Sequence, residues 1–210
     1  MLARPPKERR HKLLKFRFVE DTLRDVIGDL LTRSVLSELL GQSADELKFG
    51  TDLNGKPLLL GHHPSIGFNV SLSGDWVVLA AGPSQRIGID VERINDAIEL
   101  EVARRFYAEE EYCAVMQQQT EEQRLRQFFR IWTAKESYMK AIGKGLSMPL
   151  DSFSTVKGNA LAEKQLINGR RWYFRTFTLE AGYLLTTCAD TYDFDEAIQF
   201  YDIASLIPLN

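Results

Sequence analysis

Residues 88–94 read GIDVERI, a stretch suited to a buried strand except for two carboxylates, Asp90 and Glu92. Strand alternation puts both on one face. Like charges held side by side repel, so the segment calls for a positive group close by.

Immediately upstream, FNVSLSGDWVVLAAG (68–82) alternates Phe68, Val70 and Leu72 with Asn69, Ser71 and Ser73. SGD at 73–75 reads as a hairpin turn into the apolar run from Trp76 to Ala81, which Gly82-Pro83 ends. Further back, residues 20–40 carry Leu23, Val26, Ile27, Leu30, Leu31, Val35 and Leu39 at helical steps, with Gly41 as a stop. A helix followed by three adjacent strands predicts an α+β unit, not an alternating βαβ series.

The order then repeats. Residues 99–118 and 121–142 have helical periodicity, the second ending at Gly143. FSTV (153–156), RRWYFRTFTL (170–179), GYLLTTCA (182–189) and IQFYDIASL (198–206) read as strands. The expected architecture is two similar helix-plus-antiparallel-sheet halves, residues 1–98 and 99–210.

Composition bounds the function. With 44% hydrophobic and 26% charged residues the chain is globular, and a net charge of −3 argues against a protein that coats nucleic acid. A basic run, RPPKERRHKLLKFR (4–17), reads either as a solvated helix face or as an anion-facing patch. Two distant cysteines, Cys113 and Cys188, suit a reducing compartment and core filling. No run of about 18 apolar residues suggests a membrane span, so a cytoplasmic location is expected.

Within 121–142, Glu136 and Lys140 are four apart and share a helix face, with Lys135 beside them. Three carboxylates from a strand and a helix, Asp90, Glu92 and Glu136, would make an oxygen cage for Mg²⁺, and the lysines with GKG (143–145) would suit a phosphate-bearing substrate. The alternative is a solvent-facing strand edge and an ordinary intrahelical ion pair.

FNVSLSGDWVVLA, GIDVERI and WTAKESYMKAIGKGLSMPLDSF (132–153), in this order and spacing, resemble the Sfp-type 4′-phosphopantetheinyl transferases. The likeness extends from the basic segment through LRDVIGDLLTRSVL (23–36) and GKP (55–57) to about residue 190. It implies a pseudo-dimeric α+β fold with coenzyme A in the cleft between the halves. It also implies Mg²⁺ on Asp90, Glu92 and Glu136 gripping the coenzyme A pyrophosphate, with Lys140 and Lys135 offsetting phosphate charge. The implied reaction passes the phosphopantetheine arm to a serine hydroxyl of an acyl or peptidyl carrier protein and releases adenosine 3′,5′-bisphosphate. Catalysis would rest on Glu136, Lys140 and Asp90, with Glu136 as general base directly or through an intervening water. The acceptor carriers of fatty acid, polyketide or nonribosomal peptide systems are all compatible.

By the same resemblance Lys56 and Ser71 hold the nucleotide portion of coenzyme A, and Arg9 and Lys12 face its 3′-phosphate with Arg24 as a neighbouring cation. Glu111 matches a glutamate near the metal site, or is a solvated carboxylate at a helix start. Residues 95–125 would be a carrier-docking surface on which Phe106, Tyr107, Tyr112 and Met116 are either exposed or core. The chain departs from its relatives at Leu72, where a histidine is usual, at Asp25, where some have a hydroxyl, and in beginning almost directly with the basic segment. Leu72 and Asp25 together predict a smaller contribution of the 3′-phosphate to binding; His62 and His63 read as exposed loop residues. A single-chain monomer is expected. A non-catalytic relative and an Mg²⁺-dependent pyrophosphate phosphodiesterase are the competing readings.

Overall fold

A computed structural model describes residues 19–61, 66–145 and 148–207. The elements in chain order are helix α1 (Val19–Leu40), strands β1 (Lys48–Thr51), β2 (Pro57–Leu60), β3 (Gly67–Ser73), β4 (Trp76–Gly82) and β5 (Ile87–Arg93), then helices α2 (Val102–Phe106), α3 (Glu109–Met116) and α4 (Glu121–Ile142). Short strands β6 (Val156–Lys157) and β7 (Ala160–Leu161) precede β8 (Lys164–Ile167), β9 (Arg170–Phe177) and β10 (Tyr183–Ala189), and the short helix α5 (Ile203–Leu206) follows. The architecture is α+β with antiparallel sheets, as expected.

The predicted helix and hairpin form for the reasons read from the sequence. Gly41 closes α1 at a φ of 62°, a left-handed position that glycine takes without a Cβ penalty. Leu36 of α1 packs with Leu47, Leu59 and Phe68 in one core cluster. In the β3–β4 hairpin Ser73 pairs with Trp76, so Gly74 and Asp75 form the two-residue turn.

The long helix α4 is bounded sharply. Thr120 caps it by accepting the Gln123 amide, Gln123 returns the bond, and Gly143 ends it in left-handed geometry. Its buried side carries Phe128, Phe129, Ile131, Tyr138 and Met139, each large apolar side chain contributing about 1.5–3 kcal/mol by burial. That face lies across β5 and β10.

The strand GIDVERI departs from the expected grouping. β5 is the edge strand of the sheet β5-β10-β9-β8, with Asp90 opposite Thr186 and Glu92 opposite Leu184. It therefore belongs structurally with the later strands, although residues 1–98 were expected to form one half. Proximity along the chain favoured the β3–β4 hairpin as its partner, but β10 supplies the backbone ladder. β3 runs beside β5 and joins it through side chains instead.

Three other expectations are corrected. Residues 99–118 form two short helices, because Tyr107 is extended (ψ 153°) and sends its hydroxyl to the Phe128 carbonyl in the core, at 2.9 Å. The final segment 198–206 is not a strand: Asp202 caps the helix α5 by accepting the Ala204 amide. Of FSTV only Val156 enters a strand. Among the described residues no helix is long and apolar enough to cross a membrane.

Candidate active site

Gly88 sets the distance between strand and helix. A Cβ built on it would lie 2.0 Å from the Ser137 carbonyl oxygen and 2.5 Å from the Ala141 amide nitrogen, so β5 and α4 meet backbone to backbone. Two residues along the strand, Asp90 comes within reach of the α4 face carrying Glu136 and Lys140.

Lys140 Nζ donates to Asp90 Oδ1 at 2.6 Å and to Ser71 Oγ at 2.9 Å. The Ser71 hydroxyl donates to the same Asp90 oxygen at 3.1 Å and accepts the Val91 amide at 3.3 Å. Glu92 is held by two donors, Ser73 Oγ at 3.2 Å and Trp132 Nε1 at 3.3 Å. The positive group the opening stretch called for is Lys140, and it serves Asp90 first.

It does not neutralise the cluster. Burial and the charges of Asp90 and Glu92 push the Glu136 carboxyl up to about 7, against the opposing pull of Lys140. Burial also raises Asp90, opposed by Lys140, while burial and then the Asp90 charge raise Glu92. The three carboxylates therefore share one electrostatic site. Three carboxylates and one ammonium leave a formal excess of two negative charges, and Asp90 Oδ2 is buried without a hydrogen-bond partner among the described residues. An all-oxygen, doubly negative donor set fits a hard divalent cation in kind. Among the described residues no three His, Cys, Asp or Glu side chains stand close enough to hold a metal as they are.

Lys135 does not join this site. It is fully buried, ion-paired with Glu111 at 2.6 Å, and donates to the carbonyls of Leu150 and Phe153, both at 2.6 Å. Adjacent residues on a helix point about 100° apart, so Lys135 cannot share the face of Glu136 and Lys140. Glu111 is likewise structural: it accepts the amide and hydroxyl of Thr155 at 2.8 and 2.9 Å and the Ala108 amide at 3.1 Å. The pair ties α3, α4 and residues 150–155 together.

Lys56 donates to the carbonyls of Gln85 (3.2 Å), Ile87 (3.0 Å) and Ala141 (2.9 Å). It fastens the β1–β2 turn to the start of β5 and the end of α4, and burial pushes its ammonium down to about 8. Ser71 donates to Asp90 and accepts from the Val91 amide and Lys140, which orders the site. Arg24 donates through Nε to the Gly74 carbonyl at the β3–β4 turn, 2.8 Å.

Arg9, Lys12, His62 and His63 lie outside the described residues. Leu72 is half-exposed and lies on the β3 face toward α1, where a Cβ on Gly28 would stand 3.9 Å from it. In the segment 95–125 Tyr107 is core, Tyr112 and Met116 pack against the same cluster, and Phe106 is exposed. Sequence reasoning missed Asn69, Ser73 and Trp132. For the first and second the signal was present, a polar residue at every second position of β3. A cavity of about 570 Å³ between α1, β4 and residues 193–206 contains none of Ser71, Asp90, Glu92, Glu136 or Lys140 in its walls.

Residues 86–188 match the family model described as the 4′-phosphopantetheinyl transferase superfamily, and residues 1–84 match that of 4′-phosphopantetheinyl transferase, N-terminal. The join falls just before β5, in agreement with its place in the second sheet. The chain is 37% identical over 202 residues to 4′-phosphopantetheinyl transferase Sfp of Bacillus subtilis (strain 168), covering 95% of this chain and 88% of that protein. It is 34% identical over 209 residues to a 4′-phosphopantetheinyl transferase of Bacillus subtilis, covering 99% and 92%. To 4′-phosphopantetheinyl transferase gsp of Aneurinibacillus migulanus it is 37% identical over 147 residues, 70% of this chain and 60% of that one. The chain belongs to the Sfp-type 4′-phosphopantetheinyl transferases.

Proposed function

We propose that this protein transfers the 4′-phosphopantetheine arm of coenzyme A to a serine hydroxyl of an acyl or peptidyl carrier protein, with Mg²⁺, and releases adenosine 3′,5′-bisphosphate. The observation that carries the reading is the shared electrostatic site of Asp90, Glu92 and Glu136 beside Lys140, in a chain similar over nearly its whole length to named transferases of this kind.

In the reaction the carrier serine oxygen bonds to the phosphorus bearing the pantetheine arm, and the pyrophosphate P–O bond breaks. The electron pair leaves on adenosine 3′,5′-bisphosphate. Glu136 takes the serine proton, directly or through an intervening water. Lys140 and Ser71 fix Asp90 in place, and the partly exposed Lys140 ammonium offsets charge on the phosphates. When bound by Asp90, Glu92 and Glu136, Mg²⁺ supplies charge neutralisation at the pyrophosphate.

The protein works as a single chain in the cytoplasm. Both halves of the site, β5 and α4, come from one chain, and Cys113 and Cys188 are free thiols. The test is incubation with Mg²⁺, coenzyme A and an apo carrier protein, followed by intact mass. A carrier heavier by one phosphopantetheine is expected. An unchanged carrier with coenzyme A consumed, or with nothing consumed, contradicts the reading.

A further inference from the structure

The join between β3 and β5 repeats a single unit. On β5 the amides of Ile89, Val91 and Arg93 point away from β10, and among the described residues no strand pairs with them. Each is met by a side chain of β3: Ile89 N–H by Asn69 Oδ1 at 2.9 Å, Val91 N–H by Ser71 Oγ at 3.3 Å, and Arg93 N–H by Ser73 Oγ at 3.0 Å. Both strands advance two residues per rung, so three side chains replace a backbone ladder.

The two serine rungs do more than the asparagine rung. A hydroxyl has one donor and two acceptor positions. Ser71 accepts the Val91 amide and donates to Asp90, the residue before it; Ser73 accepts the Arg93 amide and donates to Glu92, again the residue before. Asn69 meets the Ile89 amide, and the residue before that is Gly88, which has no side chain to orient.

We propose that Ser73 is a positioning residue: its hydroxyl, seated on the Arg93 amide, aims the Glu92 carboxylate into the site, so that the attachment of β3 to β5 also sets the ligand geometry. The inference rests on the proposed function for the identity of what Glu92 meets. The asparagine rung is the internal control, having the same structural bond without a carboxylate.

The test measures Mn²⁺ affinity in the presence of coenzyme A, by calorimetry or paramagnetic resonance, with hydrogen exchange at the Arg93 amide as a metal-free readout. Ser73→Ala is expected to weaken Mn²⁺ on the order of tenfold, the scale of one lost hydrogen bond to a charged group, and to speed Arg93 exchange. Ser73→Thr, which keeps the hydroxyl, restores both. Asn69→Ala lowers the melting temperature and leaves Mn²⁺ affinity within about twofold of wild type, a change below the scale of one such bond. If Ser73→Ala does not fold, Ser73→Cys, with a weaker donor of similar size, takes its place. Unchanged Mn²⁺ affinity in the folded Ser73 variant, or an equal loss in Asn69→Ala, overturns the proposal. Either result leaves the wild-type carrier-mass assay untouched, so failure here is separable from failure of the transferase reading.

Discussion

Gly88 and Ser137 touch through their backbones: a Cβ at Gly88 would stand 2.0 Å from the Ser137 carbonyl oxygen. This contact fixes how near α4 comes to β5, and through it how near Glu136 and Lys140 come to Asp90. Gly88→Ala is expected to cost about 1–3 kcal/mol, as overpacking of a closed interior does. Because the helix must move off the strand, transfer should fall at least about tenfold, a barrier increase of about 1.4 kcal/mol. Denaturant melts and initial rates check the two together; a variant with wild-type stability and rate would show that the contact does not set the site.

Lys135 and Glu111 are both fully buried, and removing one partner strands the other. Lys135→Met is expected to destabilise by about 3–5 kcal/mol, whereas joining it to Glu111→Leu should recover most of that loss. A phosphate-binding Lys135 would behave in the opposite way, with KM for coenzyme A raised and the melting temperature unchanged.

Lys56 bonds three carbonyls from separate segments, Gln85, Ile87 and Ala141. Lys56→Met should lower stability by about 1–3 kcal/mol, since buried acceptors are left unsatisfied. Urea unfolding measures it. A variant as stable as wild type but defective in coenzyme A binding would place Lys56 at the nucleotide instead.

The Glu136 carboxyl, raised to about 7 in the folded protein from an ordinary 4.5, keeps its proton over a window in which the unfolded chain has lost it. Stability is therefore highest below pH 4.5 with respect to this group and is lost as pH rises through 7. Asp90 and Glu92 are raised too and act in the same direction. In chelator, melting temperatures should fall between pH 5 and 7.5, and Glu136→Gln should flatten that fall and raise the melting temperature at pH 7.5 while removing transfer. An equally steep fall in Glu136→Gln would place the charge strain elsewhere.

Much of this arrangement was legible because it is local. The ends of α4 are written in Thr120, Gln123 and Gly143, the β3–β4 turn in Gly74, and the paired carboxylates in the spacing of Asp90 and Glu92. The pairing of β5 with β10 joins residues about ninety positions apart and leaves no local mark beyond a strand-like run. Helical phase alone separates Lys135 from Glu136, yet identical chemistry in neighbouring lysines hid that difference. Likewise the alternation Asn69, Ser71, Ser73 was visible as strand periodicity, while its matching to every second amide of β5 required the fold.

The central claim is that Asp90 and Glu92 of β5 and Glu136 of α4 serve one divalent cation together with coenzyme A. Titration of Mn²⁺ into the coenzyme A complex of wild type, Asp90→Asn, Glu92→Gln and Glu136→Gln tests it most directly. Each variant is expected to lose affinity at least tenfold, about 1.4 kcal/mol or more. Wild-type affinity in any one of the three contradicts it.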